Sequence, residues 1–124
     1  NVVVPGPELA KDTPGVKALF LVKRKPGLSV AEFQDYWRNK HAPIVPKTPG
    51  LQRYVQCHVA PETYGAETPK YDGVAELCWA DMASFEKGWQ SDEMQVEQFN
   101  DVPNFVDIKN SVGLLVEEIR VIWP

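Results

Sequence analysis

His41 and His58 are the only histidines in this chain of 124 residues, and they lie close together in the sequence. An imidazole titrates near neutral pH, so a histidine that faces a pocket can accept or donate a proton during catalysis. His41 follows Trp37 by one turn at the carboxyl end of a predicted helix, where the helix dipole favours the imidazolium form. His58 follows Tyr54 near the end of a predicted strand. Together the two histidines predict a shared acid–base site.

Each histidine also has an interpretation that involves no chemistry. A histidine at a helix terminus is often only a cap of the last carbonyl groups. His58 lies among polar neighbours in a strand, where a hydrogen-bonded structural role is common. Asp72 and Glu76 lie on one face of the third predicted strand, and a solvated or ion-paired face accounts for them. A buried carboxylate beside His58 would instead belong to the site.

The elements that must position these residues begin with a strand over 16–24 and a helix over 29–42. Ser29 and Glu32 have the spacing of a capping box, in which the two side chains satisfy N–H groups of the first turn. Val30, Phe33, Trp37 and His41 then recur at helical spacing and define the inward stripe of this helix.

The remaining elements are two strands, a broken helical segment and a last strand. Strands are predicted over 51–59 and 72–80, and they form a hairpin. Residues 81–99 are predicted as helical, with a break at Ser91, and 112–123 as the last strand. Large aromatic residues on the stripes of these elements more often form a core than a ligand cage.

The element order β-α-β-β-α-β predicts an α+β fold, a four-stranded antiparallel sheet with helices on one face. The chain is divided into an extended arm over 1–15, whose apolar valines suit packing on a neighbour, and one domain over 16–124. The last strand is apolar on both faces, and a bare sheet face of this kind is a sizeable exposed patch. We therefore expect a homodimer in which the sheets pack face to face.

Composition excludes several classes of function. A formal net charge of −4 with scattered basic residues provides no electrostatic footprint for nucleic acid. No apolar run has the length of a membrane span. Two histidines seventeen residues apart, with acidic residues nearby, could form a metal site, but the chain has no strong metal-binding motif. It also has no glycine-rich nucleotide loop or G-x-S-x-G motif. Cys57 and Cys78 lie in apolar runs without C-x-x-C spacing, and the start of the chain does not resemble a signal peptide, so we expect buried free thiols and a cytoplasmic protein.

Several motifs together resemble the EthD family of small dimeric α+β barrel proteins. The resemblance covers roughly residues 17–123. The motifs are the Lys25-Pro26-Gly27-Leu28-Ser29 turn, Trp37-x-x-x-His41-Ala42-Pro43, Pro49-Gly50-Leu51, Tyr54-x-x-x-His58 and Tyr71-Asp72-Gly73. It implies a ferredoxin-like fold, a sheet-to-sheet dimer, and a pocket between sheet and helices in each subunit. Characterised relatives include methylmuconolactone isomerase-type enzymes of aromatic degradation and fungal polyketide dehydratases.

The resemblance also implies catalysis without a cofactor by pocket histidines and tyrosines. Carried over by motif, the catalytic residues are His41, His58 and Tyr54. One histidine would abstract a proton next to a carbonyl, and the other histidine or Tyr54 would stabilise the enolate or protonate a leaving oxygen. The predicted substrate-binding residues are Phe33, Trp37, Trp79, Glu76, Asp72 and Trp89.

The leading hypothesis is a cofactor-independent lyase or isomerase, similar to a dehydratase or lactone isomerase. Its substrate would be an aromatic-derived lactone or a polyketide-like ring, bound without metal or cofactor. Two alternatives use the same pocket: an accessory protein that binds a hydrophobic metabolite without chemistry, and a cofactor-free monooxygenase. One scaffold hosts unrelated functions, so the fold alone does not choose among them.

Overall fold

An antiparallel sheet of five strands forms the framework of the protein, in a computed structural model that describes residues 1–6 and 15–118. The strands are β1 (Val2–Pro5), β2 (Gly15–Val22), β3 (Arg53–His58), β4 (Gly73–Trp79) and β5 (Val112–Glu118). Their order in the sheet is β1-β3-β4-β2-β5. The last four strands in this order form a ferredoxin-like sheet, and β3 and β4 form the predicted hairpin.

The prediction of four strands is wrong because β1 adds a fifth. Its residues lie in the segment predicted as an extended arm, and they pair with β3 of the same chain, with Val2 opposite Val55. The backbone of Asn1 also exchanges hydrogen bonds with the backbone of Gln56. The free edge of β3 exposes unpaired N–H and C=O groups, and a short valine run satisfies them. Residues 7–14 of the arm and 119–123 of the predicted last strand lie outside the described residues.

The first helix follows the predicted bounds closely. Helix α1 (Val30–Tyr36) begins at the Ser29–Glu32 capping box, in which both reciprocal hydrogen bonds form. Its last turn widens into a π-helical segment, Trp37–His41, closed by a 3.0 Å bond from the Ala42 N–H to the Trp37 carbonyl. Such π segments are rare and occur frequently at functional sites.

The second helical segment breaks where the sequence predicts. Asp81 caps the start of helix α2 (Met82–Trp89). After Ser91 the chain becomes helical again as a second π-helical segment, Glu93–Gln98. A short helix α3 (Phe99–Asp101) continues it. Short 3-10 turns then lead to β5, in a region that the sequence predicts as loop.

The helices cover one face of the sheet, and the core lies between them. Trp37 and Trp79 are fully buried there. Strand alternation places Cys57 on the opposite face, where it is exposed, so the prediction of two buried thiols is correct only for Cys78. Within the described part of the chain, no helix has the length and hydropathy that a membrane crossing requires.

Candidate functional site

A cavity of about 440 Å³ lies between the covered sheet face and the helices. Aliphatic and aromatic side chains form most of its wall, and the polar side chains are those of His41, Tyr54, Gln98 and Ser111. Its rim includes Phe99, Ile108 and Val112, which are exposed apolar residues. A largely apolar concavity with a few polar groups is the usual form of a small-molecule site.

The π-helical end of α1 places His41 in the cavity wall. The ring packs at 4.9 Å from Phe105, measured between ring centroids, and the residue is buried. Its Nδ1 lies 2.8 Å from Oδ2 of Asp101, at the end of α3. Because Asp101 does not line the cavity, Nε2 is the ring nitrogen available to a ligand, and it has no hydrogen-bond partner among residues 1–6 and 15–118.

Asp101 is held in place as the partner of His41. The Tyr36 hydroxyl donates to Oδ1 at 2.6 Å, and the Asn104 amide donates to the same oxygen at 3.2 Å. Burial raises the pKa of the carboxyl group, but the hydrogen bonds from Tyr36, His41 and Asn104 outweigh it and the net pKa is lowered. Asp101 is therefore ionised at neutral pH, so His41 donates from Nδ1–H, and in the neutral imidazole the lone pair is then on Nε2.

The ionisation of His41 suits a general base. Burial lowers its pKa below the usual 6.5, and the hydrogen bond and charge of Asp101 oppose this only in part. From sequence, the dipole at the carboxyl end of the helix predicts a raised pKa for His41, which is the opposite direction. Desolvation dominates because the ring is buried beside Phe105 rather than exposed at a helix end. The imidazole is therefore neutral at pH 7 and able to accept a proton.

Tyr54 is the second polar group of the wall that sequence reasoning singled out. Strand β3 turns it toward the helices, and its hydroxyl oxygen accepts a 2.9 Å hydrogen bond from Nε2 of Gln56. Burial raises the pKa of Tyr54 to about 12, despite opposing hydrogen bonds from Gln56 and Trp37. The hydroxyl is thus protonated at any physiological pH.

His58 does not line this cavity, so the structure does not bring the two histidines together in it. Its ring packs on Trp37, a wall residue, with centroids 4.5 Å apart. Nε2 lies 2.9 Å from Oε1 of Gln56, and Nδ1 is buried without a hydrogen-bond partner in the described part of the chain. Burial, followed by the positive charges of Arg38 and the N-terminus, lowers the pKa of His58 to about 4.

Of the six predicted substrate-binding residues, Trp37 and Trp89 lie in the wall. The others do not line it. Phe33 packs in the core against Trp37. Trp79 is also buried, and its indole N–H donates to the Pro49 carbonyl at 3.2 Å.

The two predicted carboxylates have structural partners instead of cavity positions. Glu76 forms an ion pair with Lys17 at 3.3 Å on the sheet face away from the helices. Asp72 is fully buried and accepts hydrogen bonds from the backbone N–H of Arg24 at 2.8 Å and the Tyr64 hydroxyl at 2.6 Å. It therefore ties the loop before β4 to the end of β2.

Asp101 and Gln56 are the functional candidates that sequence reasoning missed. Asp101 is sixty positions from His41 and follows the predicted helix, in a segment read as loop. Gln56 lies midway between Tyr54 and His58 on the same strand face. This alternation was the one feature of the sequence that could have marked Gln56 as a neighbour of the site. Among the described residues, no group of three or more His, Cys, Asp or Glu side chains could hold a metal ion.

A protein-family model, the EthD domain, matches residues 25–109, more than half of the chain. The chain belongs to the EthD family. The resemblance seen in the sequence motifs is thereby confirmed, and it extends to the segment that carries Asp101. Among curated proteins, none shows a significant sequence match to this EthD chain.

Solved structures share the fold of this EthD protein. An ethyl tert-butyl ether D (EthD) family protein from Bacillus halodurans has a TM-score of 0.67 at 23% identity, covering 84% of this chain and 98% of its own. A dimeric ferredoxin-like protein of unknown function from Thermobifida fusca has a TM-score of 0.66 at 10% identity, covering 90% and 97%. SnoaB, a cofactor-independent oxygenase from Streptomyces nogalater, has a TM-score of 0.56 at 14% identity, covering 91% and 98%.

Proposed function

We propose that this protein is a cofactor-independent enzyme in which His41 transfers a proton on a small hydrophobic substrate. The observation that carries the proposal is the 2.8 Å contact between His41 Nδ1 and Asp101 in the wall of an apolar cavity. A carboxylate behind a histidine holds its tautomer and orientation and stabilises the imidazolium that forms. Binding of an apolar metabolite alone does not require this arrangement.

In the proposed mechanism, His41 Nε2 accepts a proton from a carbon next to a carbonyl group of the substrate. Asp101 stabilises the resulting imidazolium through Nδ1–H. The Tyr54 hydroxyl donates a hydrogen bond to the substrate oxygen as negative charge develops on it. Return of the proton to another carbon completes an isomerisation, and its transfer to a departing oxygen completes a dehydration. A positioned acid or base of this kind contributes about 10²- to 10⁴-fold to the rate.

The cavity wall indicates the class of substrate. Its described residues include no Lys or Arg, so a carboxylate or phosphate on the substrate would have no cationic partner there. Trp37, Trp89 and Phe105 offer aromatic surfaces to a ring. We infer an uncharged, mainly apolar substrate, such as a lactone or a polyketide-like ring, that enters past the apolar rim.

A cofactor-free oxygenase is the second candidate, and the shared fold with SnoaB supports it. His41 would again deprotonate the substrate, and the electron-rich anion would react with dioxygen as co-substrate. The two candidates differ in the consumption of oxygen, which an oxygen electrode measures directly.

We also propose that the protein is a homodimer. Leu114 is exposed and lies on the sheet face away from the helices, where it pairs with Leu19 of β2. Burying such a face against a second copy removes an exposed apolar patch. The Thermobifida fusca structure with the same fold is described as dimeric. Sedimentation at micromolar concentration tests this proposal by the mass of the particle.

Proton transfer can be tested before the full reaction is known. The protein is incubated in D₂O with a panel of neutral cyclic ketones and lactones, and NMR follows deuterium entry at carbon next to the carbonyl. We expect catalysed exchange with at least one member and a loss of about 10²- to 10⁴-fold in His41→Gln. Exchange that survives in His41→Gln, or a panel that binds without any exchange, would contradict the proposal.

A further inference from the structure

A chain of buried hydrogen bonds runs from the cavity to His58 through the side chain of Gln56. Gln56 has no exposed surface, and Tyr54 is almost as deeply buried. Nε2 of Gln56 lies 2.9 Å from the Trp37 carbonyl oxygen and 2.9 Å from the Tyr54 hydroxyl oxygen. On its other side, Oε1 of Gln56 lies 2.9 Å from Nε2 of His58.

The Trp37 carbonyl determines which atom donates in each hydrogen bond of this network. A backbone carbonyl can only accept, so the atom of Gln56 that faces Trp37 must be the amide nitrogen. The two amide hydrogens then go to the Trp37 carbonyl and to Tyr54. The Tyr54 oxygen is therefore an acceptor within the protein, and its own proton has no acceptor among the described residues.

The same reasoning determines the tautomer of His58. Because Oε1 of Gln56 can only accept, Nε2 of His58 carries the hydrogen. The side-chain amide of Asn1 donates to the same oxygen at 3.4 Å. His58 and Asn1 thus hold the amide of Gln56 from one side, and the Trp37 carbonyl holds it from the other.

We propose that Gln56 is a positioning residue that makes the Tyr54 hydroxyl a hydrogen-bond donor to the cavity, so that the ligand presents an acceptor oxygen, such as a carbonyl, at Tyr54. His58 acts through Gln56 by keeping its amide in this orientation. The inference rests on the cavity proposed above as the active site. It concerns ligand recognition, so it is tested by binding and not by turnover.

The test compares a ketone with an alkene of the same shape. Acetophenone and α-methylstyrene differ only in an oxygen in place of a CH₂ group, and NMR titration of the protein measures the Kd of each. In Gln56→Glu, the atom that faces both the Trp37 carbonyl and Tyr54 becomes a carboxyl oxygen, protonated toward the carbonyl. This oxygen accepts the Tyr54 hydroxyl proton, so the ketone loses its donor. We expect its Kd to rise about 3- to 10-fold, with the Kd of the alkene changed less than about 2-fold. Gln52→Glu, which makes the same substitution at an exposed position before β3, is the matched control.

A double-substitution cycle separates positioning from general damage. Tyr54→Phe should weaken the ketone by a similar factor, and adding Gln56→Glu to Tyr54→Phe should weaken it no further, because Gln56 acts through the missing hydroxyl. Equal weakening of ketone and alkene in Gln56→Glu overturns the proposal. So does an effect of Gln56→Glu that persists fully in the Tyr54→Phe background.

The unsubstituted protein provides a second test that does not depend on the folding of a variant. The proton of a buried hydroxyl exchanges slowly enough to be sought by NMR, and its nuclear Overhauser contacts with the Tyr54 ring protons assign it. We expect this signal to move downfield when acetophenone binds and to move much less with α-methylstyrene. A hydroxyl signal that responds equally to both probes overturns the proposal. Binding of the ketone without any deuterium exchange would contradict the proposed function and leave this inference standing.

Discussion

His41 and His58 occupy similar surroundings and yet differ in what they can do. Both rings pack against an aromatic residue, with centroids 4.9 Å from Phe105 and 4.5 Å from Trp37. Burial lowers the pKa of both. The difference lies in the polar partner, because His41 faces a carboxylate through Nδ1 whereas His58 faces an amide oxygen through Nε2. One histidine therefore keeps a lone pair toward the cavity, and the other uses its hydrogen to hold a neighbour.

Replacing the carboxylate of Asp101 by an amide gives His41 the same kind of partner as His58. In Asp101→Asn, the imidazolium loses its stabilising charge and the Nδ1–H tautomer is no longer enforced. We expect the rate of catalysed deuterium exchange to fall about 10- to 10³-fold. The pKa of His41 should also fall further, since the charge of Asp101 raises it.

The matched control is Asp107→Asn, which removes a carboxylate from the next turn of the same segment. Asp107 accepts a hydrogen bond from Asn110 at 2.7 Å and does not line the cavity. Equal losses of exchange in the two variants would mean that Asp101 contributes only to the stability of this segment.

Trp37 lies between the cavity and the His58 ring, and Gly73 leaves room for the Trp37 indole. A Cβ atom at position 73 would lie 2.5 Å from Cζ3 of Trp37 and 2.8 Å from the Cys57 carbonyl oxygen. We expect Gly73→Ala to lower the free energy of unfolding by about 1–3 kcal/mol. Gly65→Ala is the control, because a Cβ there meets nothing within 4 Å. Urea denaturation of both variants measures the difference, and equal stabilities would contradict the packing described for Trp37.

His58 should affect how strongly the stability of the fold depends on acidic pH, more than it affects catalysis. Its folded-state pKa of about 4 lies below the usual 6.5, so its contribution to stability is present above pH 6.5 and lost as pH falls toward 4. His58→Gln removes this titration and keeps a hydrogen-bond donor for Gln56. We expect its urea midpoint to fall less than that of the unsubstituted protein between pH 7 and 4. The corresponding difference in the free energy of unfolding should not exceed about 1 kcal/mol, because the side chain is only partly buried and solvent screens its charge. Parallel midpoints over this range would contradict it.

Much of the fold was predictable because its signals are local. The capping box at Ser29 and the polar cluster at Ser91 mark helix starts through contacts only a few residues away. Strand alternation in β3 and β4 indicated the hairpin. The strand β1 was not predictable, since its pairing depends on the free edge of β3 and not on its own few residues. The π-helical turn that carries His41 also leaves no pattern in the sequence.

The site was predictable only in its most distinctive residues. His41, Tyr54, Trp37 and Trp89 were singled out from motif and stripe positions, and all four line the cavity. Asp101 was not found, because a polar residue in a predicted loop has no periodicity and its partner is sixty positions away.

The sequence also did not determine which sheet face the His58 side chain occupies, because both faces of its strand mix polar and apolar residues. Long-range contacts that join distant segments decide which candidates meet, and a single sequence does not display them.

Their polar partners hold the two histidines in opposite neutral tautomers, and this difference separates a catalytic base from a positioning residue. Long-range ¹H–¹⁵N NMR correlations of the imidazole rings at neutral pH distinguish the two ring nitrogens directly, with His41→Gln and His58→Gln to assign them. We predict a hydrogen on Nδ1 and a lone pair on Nε2 for His41, and the reverse for His58. A His41 ring that carries its hydrogen on Nε2, or that is doubly protonated at pH 7, would contradict the account of His41 as the catalytic base.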